Sequence, residues 1–200
     1  TGALNKAWLL EVPLQTVAAN DDGEITRLTS LGLIDNIVAM GGGGIYDLEL
    51  FKRWEAKQIA SIGYSFHSLP LAETILDLDP DLLLLYAYDH SRLESLEKLR
   101  KLDINAIPQF AWAEPSFLGK AEWIKFTALF FNKEKQANDL FEKVAVRCKD
   151  LMDLVANQTP KKKAFLVYHP SGESDWNAHR NDFYDSFLEA SGTVNVLEDD

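Results

Sequence analysis

The chain is poor in cysteine, in basic residues and in long apolar runs. Its 200 residues include a single cysteine, Cys148, which excludes an internal disulfide framework and a cysteine-rich metal site. No apolar run approaches the roughly 20 residues that a membrane-spanning helix needs. Lys and Arg number 20 against 31 Asp and Glu, which gives a net charge of −11. Since proteins bind the phosphate backbone through Lys and Arg, nucleic acid is not an expected partner.

Sequence motifs of metal centres, hydrolases and phosphate-binding loops are also lacking. The four histidines form no helical i, i+4 pair and no His-Glu-x-x-His motif. No Gly-x-Ser-x-Gly segment identifies a nucleophile. The glycine run 41–44 follows a predicted strand but does not continue into a dinucleotide or Walker fingerprint. The sequence therefore contains no motif that demands catalysis.

Short apolar segments alternate with helical segments in the first half of the chain. Val12–Ala18, Ile37–Met40 and Leu82–Tyr86 read as strands, and the last of these (LLLLY) is the strongest signal of a buried strand. Helical patterns of 8–12 residues separate them. This alternation predicts βαβ units and a parallel sheet.

The pattern changes near Leu118, where a long helical stretch begins. Its second part, Glu134–Ala156, has one apolar stripe that includes Cys148, which we expect to be buried. Strands are predicted again at Ala164–Tyr168 and Asn195–Leu197. We therefore predict an α/β fold: a Rossmann-like lobe with a parallel sheet over residues 1–116, a long bridging helix within 117–158, and the start of a second Rossmann-like lobe over 159–200.

Aromatic and polar residues follow the predicted strands, where open parallel sheets bind their ligands. Aromatic side chains with a few polar groups are the usual lining of a small-molecule cleft, although loop aromatics also pack beneath their own loops. The predicted ligand-binding residues are Asn20, Asp21, Tyr46, Tyr86, Tyr88, Trp112, His169, Trp176 and Arg180.

Several segments resemble one family of transport proteins. They include Leu71–Leu82, which reads as a helix, Pro-Asp and a strand, and Leu118–Phe126 followed by Phe130–Glu134. Trp176 and Leu188–Gly192 resemble the opening of that family's second lobe. The chain resembles the helical-backbone (class III) substrate-binding proteins of ABC transporters, which deliver ferric siderophores, haem or vitamin B12.

The resemblance implies two α/β lobes joined by one long helix, with the ligand trapped between them. It implies a binding protein rather than an enzyme, with no cofactor beyond the transported ferric siderophore, haem or cobalamin. It also implies a periplasmic location, or a lipid tether outside the membrane, with the export signal outside this chain. The second lobe is expected to be incomplete within 200 residues.

The resemblance further implies an ABC-transporter permease as partner. Family members present one carboxylate per lobe to the permease, and Glu73 matches the first position while Asp185 or Glu189 lies near the second. Phenolate and imidazole suit ferric or haem iron, so Tyr88 and His169 are candidates for direct ligation.

Two other classes of function remain open on the residues alone. An α/β enzyme acting on a small polar substrate would use Asp21, Asp22 or Glu114 as acid and base, because neighbouring carboxylates split their pKa values. A protein-interaction domain would dock through its acidic face and bind no small ligand.

Overall fold

The computed structural model describes residues 9–41, 47–63, 69–158, 161–168, 175–178 and 183–197. The chain divides into two compact units. Unit 1 comprises Thr1–Gln109 and Phe126–Gln136, and unit 2 comprises Phe110–Lys125 and Ala137–Asp200. The domain boundaries predicted from the sequence, after residues 116 and 158, remain predictions.

Unit 1 alternates short strands with helices, as the apolar pattern predicts. The strands are β1 (Val17–Ala19), β2 (Ile37–Met40), β3 (Ala60–Ser61), β4 (Leu82–Tyr86) and β5 (Ala106–Gln109). The helices are α1 (Asp22–Ser30), α2 (Leu48–Glu55), α3 (Ala72–Leu78) and α4 (His90–Lys101). Three of these helices begin after an aspartate whose side chain accepts a hydrogen bond from a first-turn N–H: Asp21, Asp47 and Asp89.

The strands of unit 1 form one parallel sheet in the order β3-β2-β1-β4-β5. The chain crosses from one side of β1 to the other between β3 and β4. This makes the junction of β1 and β4 the topological switch point, beside whose carboxyl ends such sheets bind ligands.

The core of unit 1 lies on the faces of this sheet. Leu82–Leu85 are completely buried, as expected for a central parallel strand covered on both faces. On one face, Leu83 and Leu85 pack in a cluster with residues of α3 and α4, including Ile75, Leu96 and Leu99. The predicted class of fold, α/β with a parallel sheet, is confirmed.

Unit 2 contains most of the long helical stretch and two small sheets. The helices are α5 (Phe117–Leu129), whose last residues belong to unit 1, α6 (Glu134–Ala156) and α7 (Phe183–Ala190). Strands β6 (Lys162–Ala164) and β9 (Thr193–Asn195) pair in parallel, whereas β7 (Val167–Tyr168) and β8 (Asn177–Ala178) pair antiparallel.

The first strand is shorter than the sequence predicts. It begins at Val17 rather than Val12, because the preceding N–H groups bond to a side chain instead of a neighbouring strand. The backbone N–H groups of Gln15 and Thr16 donate to Oδ2 of Asp81 at 2.7 and 2.8 Å. The N–H of Asp81 donates in return to Oγ1 of Thr16 at 2.9 Å.

Three further expectations differ from the structure in unit 2. Ala164–Tyr168 is not one strand, since its two ends belong to β6 and β7 and pair with different strands. The last strand ends at Asn195, where it was predicted to begin. Cys148 is half-buried rather than buried, and Val144 and Leu151 on the same stripe of α6 are exposed, because the part of the chain that is described covers this helix only partly.

None of the helices in the described segments has both the length and the apolar composition for crossing a membrane.

Gly41 is required by a close backbone contact at the end of β2. A Cβ at this position would lie 1.8 Å from the carbonyl oxygen of Gly63, and the two segments would have to separate.

We expect Gly41→Ala to lower the free energy of unfolding by about 3 kcal/mol, measured by urea unfolding. Gly32→Ala is the control: it strains a positive φ of 69° but meets no atom within 4 Å, so a loss of about 1 kcal/mol is expected. Equal losses in the two variants would contradict this explanation.

Candidate functional site

The candidate site in unit 1 lies at the carboxyl ends of β1 and β4. Asn20 follows β1, and its side chain is 1 % exposed. Its Oδ1 accepts a hydrogen bond from the backbone N–H of Tyr86 at 2.9 Å. Asn20 thus ties the ends of the two strands together, and its bonded oxygen faces Tyr86 rather than a ligand. Its predicted ligand contact stays a prediction.

Asp21 is held by two hydrogen bonds on one carboxylate oxygen. Its Oδ2 accepts from the backbone N–H of Glu24 at 3.1 Å, which caps α1, and from Nε2 of Gln109 at 3.2 Å, which reaches it from the end of β5. Burial raises the pKa of Asp21 above its ordinary value, since desolvation outweighs the capping bond and the attraction of Arg27.

A buried ionic network lies directly beneath this loop. Glu24 is completely buried, and its Oε2 accepts from Nε and an Nη atom of Arg27 at 3.1 and 2.9 Å. Its other oxygen accepts from Oγ1 of Thr127 at 2.6 Å. Arg27 also reaches Oε1 of Gln109 at 3.4 Å. Every oxygen of the buried carboxylate is therefore engaged, as the cost of burying a charge requires.

The sequence signals for this network are weak. Glu24 and Arg27 have the i, i+3 spacing of a helical ion pair, but the same spacing is common on solvated helix faces. Gln109 and Thr127 are 82 and 103 residues from their partners in the network, and nothing local marks them.

Tyr86, Tyr88 and Arg92 form an aromatic and cationic group just beyond β4. The ring centroids of Tyr86 and Tyr88 are 5.6 Å apart, and Cζ of Arg92 lies 4.9 Å from the centroid of the Tyr88 ring. The Arg92 side chain is mostly buried, which strengthens a cation–π contact. Both tyrosines were predicted site residues, whereas Arg92 was missed. Its i+4 spacing from Tyr88 at the start of α4 is the signal that could have found it.

The predicted residues in unit 2 are less concentrated. Trp112, in a 3₁₀ turn at Ala111–Ala113, and Trp176, just before β8, are both exposed. Glu114, a candidate acid or base, accepts a hydrogen bond at Oε1 from Nε1 of Trp123 at 2.8 Å. This carboxylate therefore links the loop before α5 to the middle of that helix. His169 and Arg180 of this unit, and Tyr46 of unit 1, lie outside the described residues.

The predicted docking carboxylates differ in their exposure. Glu73, in the first turn of α3, and Glu189, on α7, are exposed. Asp185 is buried and accepts a hydrogen bond from Nδ2 of Asn195 at 2.5 Å. Of the two candidates in unit 2, Glu189 therefore has the accessible carboxylate.

The described segments contain no group of three or more His, Cys, Asp or Glu side chains placed to hold a metal ion.

The parallel sheet with its switch point, and the aromatic and cationic groups at its carboxyl edge, define an α/β protein of the class III periplasmic binding protein fold. The sequence profile of the periplasmic binding protein family matches residues 27–200. The chain belongs to this family, and the resemblance seen in the sequence is confirmed.

Known proteins similar to this chain include an uncharacterized lipoprotein of Methanocaldococcus jannaschii. It is 28 % identical over 163 residues, which are 81 % of this chain and 36 % of that protein. The chain spans about a third of the length of the curated relatives it matches.

Similar solved structures include three bacterial binding proteins. A possible iron-binding (periplasmic solute-binding) protein of Staphylococcus epidermidis has a TM-score of 0.71 at 17 % identity, covering 94 % of this chain and 69 % of that one. The petrobactin-binding protein of Bacillus subtilis has a TM-score of 0.71 at 16 % identity, with coverages of 93 % and 61 %. A periplasmic heme-binding protein of Pseudomonas aeruginosa has a TM-score of 0.66 at 20 % identity, with coverages of 91 % and 62 %.

The role of Asp21 can be tested by separating its charge from its capping oxygen. Asp21→Asn retains an oxygen that accepts both bonds, whereas Asp21→Ala removes it and is expected to cost about 1 kcal/mol of stability. Because the folded pKa of Asp21 is raised, its charge costs stability above that pKa, and stability is regained as the pH falls toward the unfolded pKa. We expect Asp21→Asn to be at least as stable as the unmodified protein at neutral pH and to lack this gain.

Urea unfolding between about pH 4 and pH 7 measures both effects. If Asp21→Asn were destabilised at neutral pH as strongly as Asp21→Ala, the buried charge would be stabilising and the assignment would be wrong.

Proposed function

We propose that this protein is the solute-binding component of an ABC importer, and that it captures an iron complex at the carboxyl ends of its strands and delivers it to the permease. The single observation that supports this function is the group formed by Tyr86, Tyr88 and Arg92 at the switch point of a periplasmic binding protein fold. Two aromatic rings beside a guanidinium group suit a ligand that is both conjugated and anionic.

The proposed ligand is a ferric siderophore, haem or cobalamin. The structurally similar proteins described above are named for iron, petrobactin and heme, which supports an iron complex as the first class to test. Because the protein has a net charge of −11, an anionic ligand needs a cationic side chain close to its binding site. At ordinary salt, unlike charges attract appreciably only within about 8–10 Å. Arg92 supplies one such cation in unit 1.

We infer a binding role rather than catalysis from the hydrogen bonds of two candidate acid and base carboxylates. Asp21 caps α1 and accepts from Gln109, while Glu114 accepts from Trp123. Both acids are committed to bonds that hold the loops in place. The proposed location is extracytoplasmic, with attachment to the membrane through a lipid only, which the lipoprotein relatives support.

Ligand titrations test the proposed function directly. A panel of ferric siderophores, haemin and cobalamin is titrated while tryptophan fluorescence is recorded. We expect an iron complex to bind and Arg92→Gln to weaken it about tenfold, since charged contacts contribute about 1.5–3 kcal/mol. Lys98→Gln makes the same charge change on the exposed side of α4 and is expected to leave affinity unchanged. No binding of any panel member would contradict the proposed function.

Direct ligation of iron by Tyr88 is tested separately with Tyr88→Phe. This change keeps the ring beside Arg92 and removes only the phenol oxygen. If the phenolate binds iron, the visible charge-transfer absorbance of the complex should disappear in the variant; if the ring only packs against the ligand, the spectrum should be unchanged.

Docking on the permease is proposed for the exposed carboxylates Glu73 and Glu189. We expect Glu73→Lys to reduce ligand-dependent stimulation of the transporter's ATPase activity by at least tenfold, because it puts a cation in place of the carboxylate that the permease is proposed to recognise. Affinity for the ligand should not change. Asp77→Lys, one turn further along α3 and also exposed, is the matched control. Loss of ligand binding in Glu73→Lys would contradict a docking role.

A further inference from the structure

Unit 2 contains a cluster of three phenylalanine rings, contributed by α5 and α7. Phe117 of α5 stacks on Phe187 of α7, with ring centroids 5.0 Å apart and planes at 25°. Phe183 meets Phe187 edge to face, also at 5.0 Å. These three residues are called the α5–α7 aromatic cluster, and Phe187 is the ring that contacts both of the others.

A cation lies against this cluster. Nζ of Lys120, on the first turns of α5, is 3.4 Å from the centroid of the Phe183 ring. An ammonium group over a ring face is attracted by the ring quadrupole. The α5–α7 aromatic cluster and Lys120 thus combine conjugated rings with positive charge, as Tyr86, Tyr88 and Arg92 do in unit 1.

Chain direction places the first turn of α7, which contains Phe183, at the ligand edge of the β6–β9 sheet. Helix α7 leads back into β9, so its first turn lies toward the carboxyl end of that strand. The hydrogen bond from Nδ2 of Asn195, the last residue of β9, to Oδ1 of Asp185 fixes this placement. Because β6 and β9 are parallel, this is the edge at which α/β sheets bind ligands.

The exposure of Phe187 distinguishes this cluster from an ordinary core. Its side chain is 45 % exposed, whereas its neighbour Leu188 on the same helix is buried. Helix α7 therefore already has its apolar anchor in Leu188. The exposed surface of Phe187 is available for a flat partner, and burying it would be favourable.

We propose that the α5–α7 aromatic cluster and Lys120 bind the conjugated, anionic part of the transported solute. The chemical class is a planar conjugated anion, which an iron complex supplies either as an aromatic catecholate or as a tetrapyrrole with carboxylates. Lys120 pairs with the charge and Phe187 stacks on the plane. This inference rests on the proposed function and narrows its ligand, since an aliphatic hydroxamate complex would gain nothing from the rings.

The test compares three probes on the whole protein: ferric 2,3-dihydroxybenzoate, haemin and the neutral ferric acetohydroxamate complex. We expect one of the two conjugated anions to bind at least tenfold more tightly than the acetohydroxamate complex, and which of them does so identifies the source. Phe187→Ala should weaken that binding about tenfold. Phe165→Ala removes an exposed ring of the same unit, 55 % exposed, and should leave it unchanged.

Three further variants distinguish a loss of binding from a failure to fold. Phe187→Leu keeps apolar volume for folding but should lose the preference for a conjugated ligand. Lys120→Gln should weaken binding and Lys120→Arg should restore it. Equal affinity for all three probes, or unchanged binding in Phe187→Ala and Phe187→Leu, would overturn this inference and leave the proposed function intact. If no iron complex bound at all, both would be overturned.

Discussion

The buried carboxylate of Glu24 is the interaction on which the arrangement of unit 1 depends. A charge with no exposed surface is tolerated only when its oxygens are paired, and here Arg27 and Thr127 pair them. Arg27 also donates to Gln109, and Gln109 in turn donates to Asp21. One buried charge thereby fixes α1, the end of β5 and the end of α5 relative to the loop after β1.

The same edge of the sheet combines rigid support with the proposed recognition groups. Asn20 and Gly41 hold the ends of the strands together, one by a side-chain bond and the other by the absence of a side chain. Tyr88 and Arg92 stand beyond this support. A binding protein needs this division, because side chains that select a ligand do so only when their own positions are already determined.

Apolar patterning was enough to predict strand β4, because four consecutive leucines suit only a fully buried position. Helix capping is equally local: Asp21 and Asp47 begin their helices because their side chains accept hydrogen bonds from N–H groups of the next three residues. Local patterning failed at Val12–Thr16, where the backbone bonds to Asp81, some 65 residues away. It also failed for Thr127, which lies 103 residues from Glu24 along the chain. Arg92 was missed although its i+4 spacing from Tyr88 was a local signal.

By itself, the sequence determined the α/β class and the choice of strand ends as the place to look for a site, because hydrophobic periodicity and turn chemistry are local properties. The family came from the resemblance of several segments to its members. Only the tertiary structure decided what each side chain does at the strand ends. It gave Asn20 and Asp21 bonds to the scaffold, buried Asp185, left Glu189 exposed and brought Phe117 onto Phe187. The reason is physical: burial and partnership depend on segments that are distant along the chain and meet only when it folds.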